Sequence, residues 1–503
     1  MIDNERLRYR NQFVLAPYYI ENLVGWRKIE VLKDLILTVH PDLEVTQHGN
    51  SSKSITLLGY VLDPNKVEKI NFDIIANLHD KIFKEKRNYF DPTFDFGGRW
   101  ILIIKDVEDI ILFNDAAGLR QVVYSDRKDD KYFWCASQPG LIAKELGLNN
   151  DSEALNFIEF IKKRNDEYFM PGNSTPYREI NHLLPNHYLN LNKKACHRYW
   201  PKDEYIPTKL KEAAERCSHI VEGLMAAASN RFDLCLSLSS GLDSRLVLAG
   251  SRKIAKKITF ISEVKKDTYI NHPDVEIPKK ILNKLGLNHD IINFAKDKPI
   301  DNRYCEIIKN NVPFFHDKWL AKAITYLELY DLKKVNVNGT ISAVAKLHYH
   351  KYFKPQQLIN NNVAAIKLAE LFGVHGNNFG INKIADWLSS IDTIYNYNLL
   401  DIFFWELNAG RWAASNNLEF DAGWKDILVP YNCRTLIDVM LSTDKKYRTA
   451  PNYILYHKII GLLWPEILSE PINPHKIKKN NFFIRVKRRV KKELRIINLF
   501  TNK

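Results

Sequence analysis

Residues 233–245, DLCLSLSSGLDSR, contain the feature that decides the fold of this 503-residue chain. Asp233 to Ser239 is a short apolar run that predicts a β-strand, and 245–251 has helical character. Small residues between a strand and a helix let backbone N–H groups approach an anion, and the helix dipole adds to the attraction. The pattern favours a phosphate-binding loop over an ordinary Ser/Gly turn. The residues of this loop are Ser239, Ser240, Gly241, Leu242, Asp243 and Ser244.

The side chains of the loop suit a phosphate ligand. Ser239 and Ser244 can donate hydroxyls, and the Asp243 carboxylate can hold Mg²⁺ against phosphate oxygens. The loop lacks the GxxxxGK[ST] pattern, so it is not a Walker loop.

Strands and helices alternate on both sides of the loop. This alternation predicts a parallel sheet with crossover helices, and residues 355–465 continue as an almost entirely helical region. The predicted strands are 233–239, 258–262, 290–294 and 335–339, and the predicted helices are 209–230, 274–286 and 315–332.

The first 200 residues show a different pattern of predicted secondary structure. Short strands follow one another closely, with one helical stretch at 71–86, which predicts an antiparallel sheet layered with helices. Pro201 and Pro207 lie in the predicted linker to the second part of the chain. The predicted strands are 55–62, 100–104, 109–113, 121–124 and a pair within 184–200.

Much of the net charge of +14 lies at the end of the chain. Residues 476–503 contain eleven Lys or Arg and one acid, Glu493. Their pattern predicts a basic amphipathic helix, and we rank an anionic membrane surface as its partner above nucleic acid. Docking of the helix on the protein itself is an equal alternative. The apolar positions are Phe483, Val486, Val490, Leu494 and Ile497.

The lack of recognisable targeting signals and the cysteine pattern both indicate the cytoplasm. No window of about 18 apolar residues occurs, and the acidic start of the chain is unlike a signal peptide. Six scattered cysteines without a CxxC pair predict reduced thiols rather than a zinc site. We expect a cytoplasmic protein whose tail reaches the membrane periphery.

The loop resembles the SGGxDS loop of the asparagine synthetase superfamily, with Ser240 in place of the second glycine. It is also similar to the TAGWDSR loop of members associated with polysaccharide gene clusters. Further similar segments are 97–100, 115–120, 272–278, 401–412 and 429–434.

The resemblance implies an α/β protein with three parts. Residues 1–200 would form a class II amidotransferase-like (Ntn-type) layer domain. Residues 201–475 would form an adenine nucleotide α-hydrolase-like domain with a Rossmann-like parallel sheet and a helical C-terminal half, and 476–503 a basic tail.

The resemblance also implies an activity. In the family this loop holds the pyrophosphate of ATP while a substrate carboxylate attacks the α-phosphorus, and an amine then displaces AMP from the acyl-adenylate. On this chain the loop and Gly339 would bind ATP, and Asp243 would bind Mg²⁺. The expected partners are a small-molecule carboxylate and an amine donor, with a homodimer as one option. Lys476 is the first candidate for the family's catalytic lysine, and Lys458 is the second.

Two departures from the family pattern limit this interpretation. The chain has Ile2 where family glutaminases have a cysteine, and no cysteine precedes Cys135, so we expect no glutamine hydrolysis. Ala343 stands where SGxGADE-type or GxxSExxR-type motifs have an acid, which leaves Asp274 and Glu276 as substitute acids. The leading hypothesis is an ATP-dependent amide ligase without its own glutaminase. The alternative is a weak or inactive ATP-binding scaffold in surface-polysaccharide biosynthesis.

Overall fold

In the part of the chain that the structure describes, the strands form two antiparallel sheets of six strands and one parallel sheet of five strands. The structure is a computed structural model that describes residues 4–125, 127, 130–165, 167–264, 270–294, 302–314, 316–350 and 361–474. The predicted tail at 476–503 lies outside these ranges.

The first part of the chain contains both antiparallel sheets. Sheet I has the order β10-β8-β9-β1-β3-β2 and sheet II the order β12-β11-β7-β6-β5-β4. The strands are β1 (Phe13–Ala16), β2 (Arg27–Leu32), β3 (Leu35–Val39), β4 (Val45–Gly49), β5 (Ser54–Leu62), β6 (Gly97–Lys105), β7 (Ile110–Asn114), β8 (Val123–Ser125), β9 (Cys135–Ala136), β10 (Ile180–His182), β11 (His187–Asn190) and β12 (Ala195–Arg198). The helices are α1 (Asn71–Phe83), α2 (Pro139–Leu146) and α3 (Ser152–Lys162).

These elements form four layers. Alternate residues of β1, β3, β6 and β7 fill an apolar core between the two sheets. Helix α1 covers the outer face of sheet II with Ile74, Ile75 and Leu78, and α2 covers the outer face of sheet I with Leu141 and Ile142. The predicted antiparallel layer architecture is confirmed, with two stacked sheets where the sequence indicated one.

The second part of the chain contains sheet III, in which every strand pair is parallel. The order is β15-β14-β13-β16-β17, which confirms the predicted Rossmann-like sheet. The strands are β13 (Asp233–Ser237), β14 (Thr259–Val264), β15 (Asp290–Asn293), β16 (Lys334–Val337) and β17 (Asp426–Leu428). The helices around them are α4 (Leu210–Ser229), α5 (Leu242–Gly250), α6 (Pro273–Lys284), α7 (Asn302–Asn311) and α8 (Asp317–Tyr330).

The C-terminal half of this part is helical, as predicted. A π-helical turn at Phe404–Ala409 joins two of its helices. The α-helices of this half are α9 (Asn361–Phe372), α10 (Asn378–Ser389), α11 (Leu399–Phe403), α12 (Gly410–Phe420), α13 (Arg434–Leu441), α14 (Lys445–Arg448) and α15 (Ile454–Leu463).

Two local predictions were wrong. Helix α5 begins at Leu242 rather than Arg245, because Gly241 serves as its N-cap and Asp243 lies in the first turn, where an acid is favourable. Strand β17 interrupts the region predicted to be helical. It has only three residues, too few to show a period of their own, and it forms by pairing with β16.

Buried charges connect the two parts of the chain. Arg99 on β6 donates to both oxygens of Asp421, at 2.6 and 2.9 Å, and to Asp426 at 3.0 Å. Arg120 donates to the other oxygen of Asp426 at 2.6 Å. The largest apolar core also draws residues from both parts. The domain limits at 200 and 475 stay predictions.

None of the helices in the described ranges has the length and hydropathy of a membrane-spanning segment. All six cysteines are free thiols, and four of them are buried.

Replacing Asp421 by Ala should lower the free energy of unfolding by about 3–5 kcal/mol, because Arg99 would keep a buried and undercompensated charge. Urea unfolding followed by circular dichroism measures the change. Asp386→Ala is the matched control, since that carboxylate forms an exposed pair with Lys383 and its loss should cost less than about 0.5 kcal/mol. Equal effects of the two substitutions would contradict a structural role for the buried pair.

Candidate functional site

The candidate site lies at the point where the order of sheet III reverses. Strand β13 is central, with β14 on one side and β16 on the other. In open α/β sheets, ligands bind beyond the carboxyl ends of the strands at such a switch point. The predicted phosphate loop follows β13 directly, so the topology places it at the expected crevice.

Three backbone N–H groups of the loop point to oxygen acceptors. The N–H of Ser239 donates to the Ser244 hydroxyl at 3.1 Å, and that of Gly241 donates to the Ser239 hydroxyl at 3.3 Å. The N–H and hydroxyl of Ser240 both donate to one oxygen of Asp274, at 2.9 and 2.6 Å. The Asp274 carboxylate therefore takes both donors of Ser240, and hydroxyls of the loop itself accept from the N–H groups of Ser239 and Gly241.

Asp274 belongs to the first turn of α6. His272 is the N-cap of this helix, and its Nδ1 accepts from the backbone N–H of Asp274 at 3.2 Å. Asp274, one of the two substitute acids, thus reaches the loop through two hydrogen bonds from Ser240. The second, Glu276, lies half-buried in the same first turn of α6.

Asp243 connects the loop to the turn that follows β16. Its Oδ1 accepts from the Ser342 hydroxyl and forms an ion pair with the Lys346 ammonium. Its backbone carbonyl accepts from the Tyr431 hydroxyl at 3.1 Å. The two strands on either side of the switch point are therefore joined through this one acid.

Gly339 packs directly against Asp243. A Cβ atom at this position would lie 2.9 Å from the carbonyl carbon and 2.9 Å from the Cβ of Asp243, closer than real Cβ contacts. The structure thus brings Gly339 to the predicted loop, and its lack of a side chain allows the close approach of the two turns.

Two buried tyrosines support the turn after β16. The Tyr456 hydroxyl donates to the Ser342 carbonyl at 2.8 Å, and Tyr431 contacts Asp243 as described. Burial raises the pKa of both phenols well above the usual range, so they stay neutral hydrogen-bond donors.

The segment before residue 475 passes over the loop. The buried Arg245 guanidinium donates to the backbone carbonyls of Glu470 at 2.7 Å and of Pro471. Burial lowers the pKa of Arg245 to about 10. The backbone N–H of Asn473 donates to the Ser240 carbonyl at 3.1 Å. The chain end of the described part is thereby held against the candidate site.

The two lysines proposed from the sequence are not brought to the loop by any described contact. Lys458 is exposed on α15, whereas Tyr456 of the same helix points to Ser342. Lys476 lies outside the described residues. Among the described residues, Lys346 contacts Asp243 of the loop, and sequence reasoning missed it. Its signal was the GxxSExxR spacing, which places a basic residue seven positions after Gly339.

A cavity of about 280 Å³ lies beside the turn that carries Ala343. Its wall combines residues from both parts of the chain, including Glu167, Asn408 and Trp412. The indole N–H of Trp412 donates to the Glu167 carboxylate at 2.8 Å. Aromatic, amide and carboxylate groups line this cavity, which suits a small polar ligand.

The start of β1 carries no thiol. Gln12 precedes the strand, and its side-chain amide donates to the backbone carbonyl of Asn311 at 2.7 Å. Cys135 on β9 lies beside β1, but burial raises the pKa of its thiol, which suppresses the nucleophilic thiolate.

Comparisons with known proteins give weak similarities. No family model and no curated protein matches the chain. One similar structure is the glutamine-dependent NAD+ synthetase from Acinetobacter baumannii in complex with ADP. It is 14% identical, the alignment covers 42% of each chain, and the TM-score is 0.20.

Another is the glutamine phosphoribosylpyrophosphate amidotransferase from B. subtilis complexed with ADP and GMP. It is 10% identical, the alignment covers 61% of this chain and 87% of that chain, and the TM-score is 0.24. TM-scores this low do not establish a shared fold, so nothing about this chain's chemistry follows from either likeness.

Replacing Gly339 by Ala should lower the free energy of unfolding by about 1–3 kcal/mol, because the new methyl group overpacks against Asp243. Gly461 on α15 is the matched control, since nothing lies within 4 Å of its missing Cβ. Gly461→Ala should raise stability by about 0.5–1 kcal/mol through helix propensity. Urea unfolding of both variants measures the sign of each change in the free energy of unfolding. A stabilised Gly339→Ala variant would rule out the tight contact with Asp243.

Proposed function

We propose that this chain is an ATP-dependent ligase of the asparagine synthetase kind. It activates a substrate carboxylate as an acyl-adenylate, releases pyrophosphate, and transfers the acyl group to an amine with release of AMP. The observation that carries the proposal is the loop 239–244 at the switch point of a parallel sheet, where the start of α5 faces the crevice.

The residues of the loop fit a polyphosphate. Ser239, Ser240 and Ser244 offer hydroxyls, and the N–H groups of the loop already bind oxygen acceptors. Gly339 lets the turn after β16 pack closely against Asp243, which brings that turn to the loop. When ATP binds, its phosphate oxygens would replace the Asp274 carboxylate as the acceptor of the Ser240 donors. Binding would therefore replace these hydrogen bonds rather than remove them.

The proposed reaction balances in two steps. A carboxylate oxygen attacks the α-phosphorus, and the bond to the bridging oxygen of pyrophosphate breaks. The amine nitrogen then attacks the acyl carbon, AMP leaves, and the nitrogen loses a proton. Donors fixed on the leaving pyrophosphate stabilise the charge that develops in the first step. The cavity beside Ala343 is our candidate for the carboxylate substrate.

The amine must reach the site from solution or from the substrate itself. Cys135 lies beside β1, and burial raises the pKa of its thiol, which disfavours this cysteine as the nucleophile of a glutaminase.

A second candidate is a protein that binds ATP without chemistry. The loop N–H groups have acceptors within the protein, and Ala343 supplies no acid. These features favour a scaffold, including one in surface-polysaccharide assembly. The two candidates differ in whether pyrophosphate is formed.

Exchange of labelled pyrophosphate into ATP separates these candidates. We expect exchange that depends on a carboxylate, tested with a panel of amino acids and uronic acids. Asp243→Ala should lower the exchange rate by about 10²–10³-fold, because the turn after β16 and its ammonium lose their anchor at the loop. The product of net turnover should be AMP.

Asp386→Ala serves as the control variant, because its carboxylate is exposed on α10. It should exchange at the wild-type rate. ATP binding without exchange for any carboxylate would favour the scaffold. Formation of ADP and phosphate would refute the proposed mechanism.

A further inference from the structure

The acid of the phosphate loop already has a cationic partner. Asp243 carries the only carboxylate of the loop, and its Oδ1 contacts both the Lys346 ammonium and the Ser342 hydroxyl. A divalent cation on this oxygen would meet the positive charge of Lys346 at contact distance. The Oδ1 of Asp243 therefore already has a cation and a hydroxyl donor in contact with it.

Lys346 is fixed by its surroundings. It ends the 3₁₀ turn Ser342–Lys346, and its ammonium lies 5.1 Å from the ring centre of Tyr453 and 4.9 Å from that of Tyr456. Its side chain is 14% exposed. Two aromatic faces and one carboxylate stabilise the charge at the crevice without removing all of it from solvent.

The acids near the loop do not fit a magnesium ion held by the protein. The GxxSExxR spacing implies an acid at position 343, where this chain has Ala343. Asp274 accepts two hydrogen bonds from Ser240. Within the described ranges, no group of three His, Cys, Asp or Glu residues could hold a metal ion.

We propose that the Lys346 ammonium takes the place of a protein-held Mg²⁺ at the pyrophosphate end of the site. This inference rests on the proposed binding of ATP at the loop. An ammonium group has three donors, and Asp243 is its one ion-pair partner among the described residues. Phosphate oxygens can accept from the same ammonium while Asp243 holds it in position. The protein then binds the pyrophosphate of ATP without a divalent cation.

Isothermal titration calorimetry with two probes, ATP and inorganic pyrophosphate, tests the inference. Each probe is titrated with Mg²⁺ and, separately, with excess EDTA. The wild-type Kd should agree within about threefold between the two conditions. Lys346→Met keeps the length of the side chain and removes its charge. It should weaken binding in EDTA by about 10- to 100-fold, the loss expected for one charge-assisted hydrogen bond.

The variant should also acquire a dependence on Mg²⁺. Because Asp243 is then free to bind a metal with the phosphates, Mg²⁺ should restore most of the lost affinity of Lys346→Met. Lys346→Arg retains the charge and should bind in EDTA nearly as well as the wild type. Lys445→Met, at an exposed lysine of α14, is the control for loss of one positive charge. Circular dichroism of each variant confirms that it is folded.

The outcomes separate this inference from the proposed function. Wild-type binding that disappears in EDTA would overturn the role of Lys346 and leave ATP binding intact. Equal affinities of Lys346→Met and wild type in EDTA would do the same. If neither ATP nor pyrophosphate binds, with Mg²⁺ or with EDTA, the proposed function is overturned together with the inference.

Discussion

The ion pair between Asp243 and Lys346 joins the two strands on which the candidate site is built. Asp243 belongs to the first turn after β13, and Lys346 to the turn after β16. The topology of sheet III makes these strands neighbours at the switch point, and Gly339 lets the two turns approach closely. The geometry of the loop therefore depends on a contact between residues about one hundred positions apart in sequence.

The sandwich of the two antiparallel sheets is joined to the second part of the chain by buried charges. Arg99, Arg120, Asp421 and Asp426 form a buried network between the sandwich and the edge of sheet III. Buried pairs of this kind add little net stability compared with apolar packing, but breaking one is costly. We interpret the network as a device that fixes how the first part of the chain meets the second.

The sequence predicted most of the fold because apolar residues recur with a clear periodicity in its strands and helices. The predicted strands at 55–62 and 100–104 correspond to β5 and β6, and the helix at 209–230 to α4. The start of α5 was placed too late, since a small polar loop and a helix N-terminus use the same residue types. The three residues of β17 are held by tertiary pairing, which leaves no local signal.

The site was predicted less completely than the fold. The loop and Gly339 were identified because motif spacing encodes them, and the structure brings them together. The contacts of Asp274 with Ser240 and of Lys346 with Asp243 are long-range, so periodicity cannot reveal them. Lys458 was ranked by position near the C-terminus; the structure places it exposed on α15, and its role stays a prediction. The roles of all these residues in a reaction stay predictions.

The most direct measurement is a crystal structure of the protein with a non-hydrolysable ATP analogue. If the account is right, the β- and γ-phosphates lie on the N–H groups of residues 239–241, and the Asp274 carboxylate has left Ser240. The Lys346 ammonium then lies within hydrogen-bond distance of a phosphate oxygen. An analogue bound elsewhere on the protein, with Asp274 still on Ser240, would contradict the central claim that this loop is the nucleotide site.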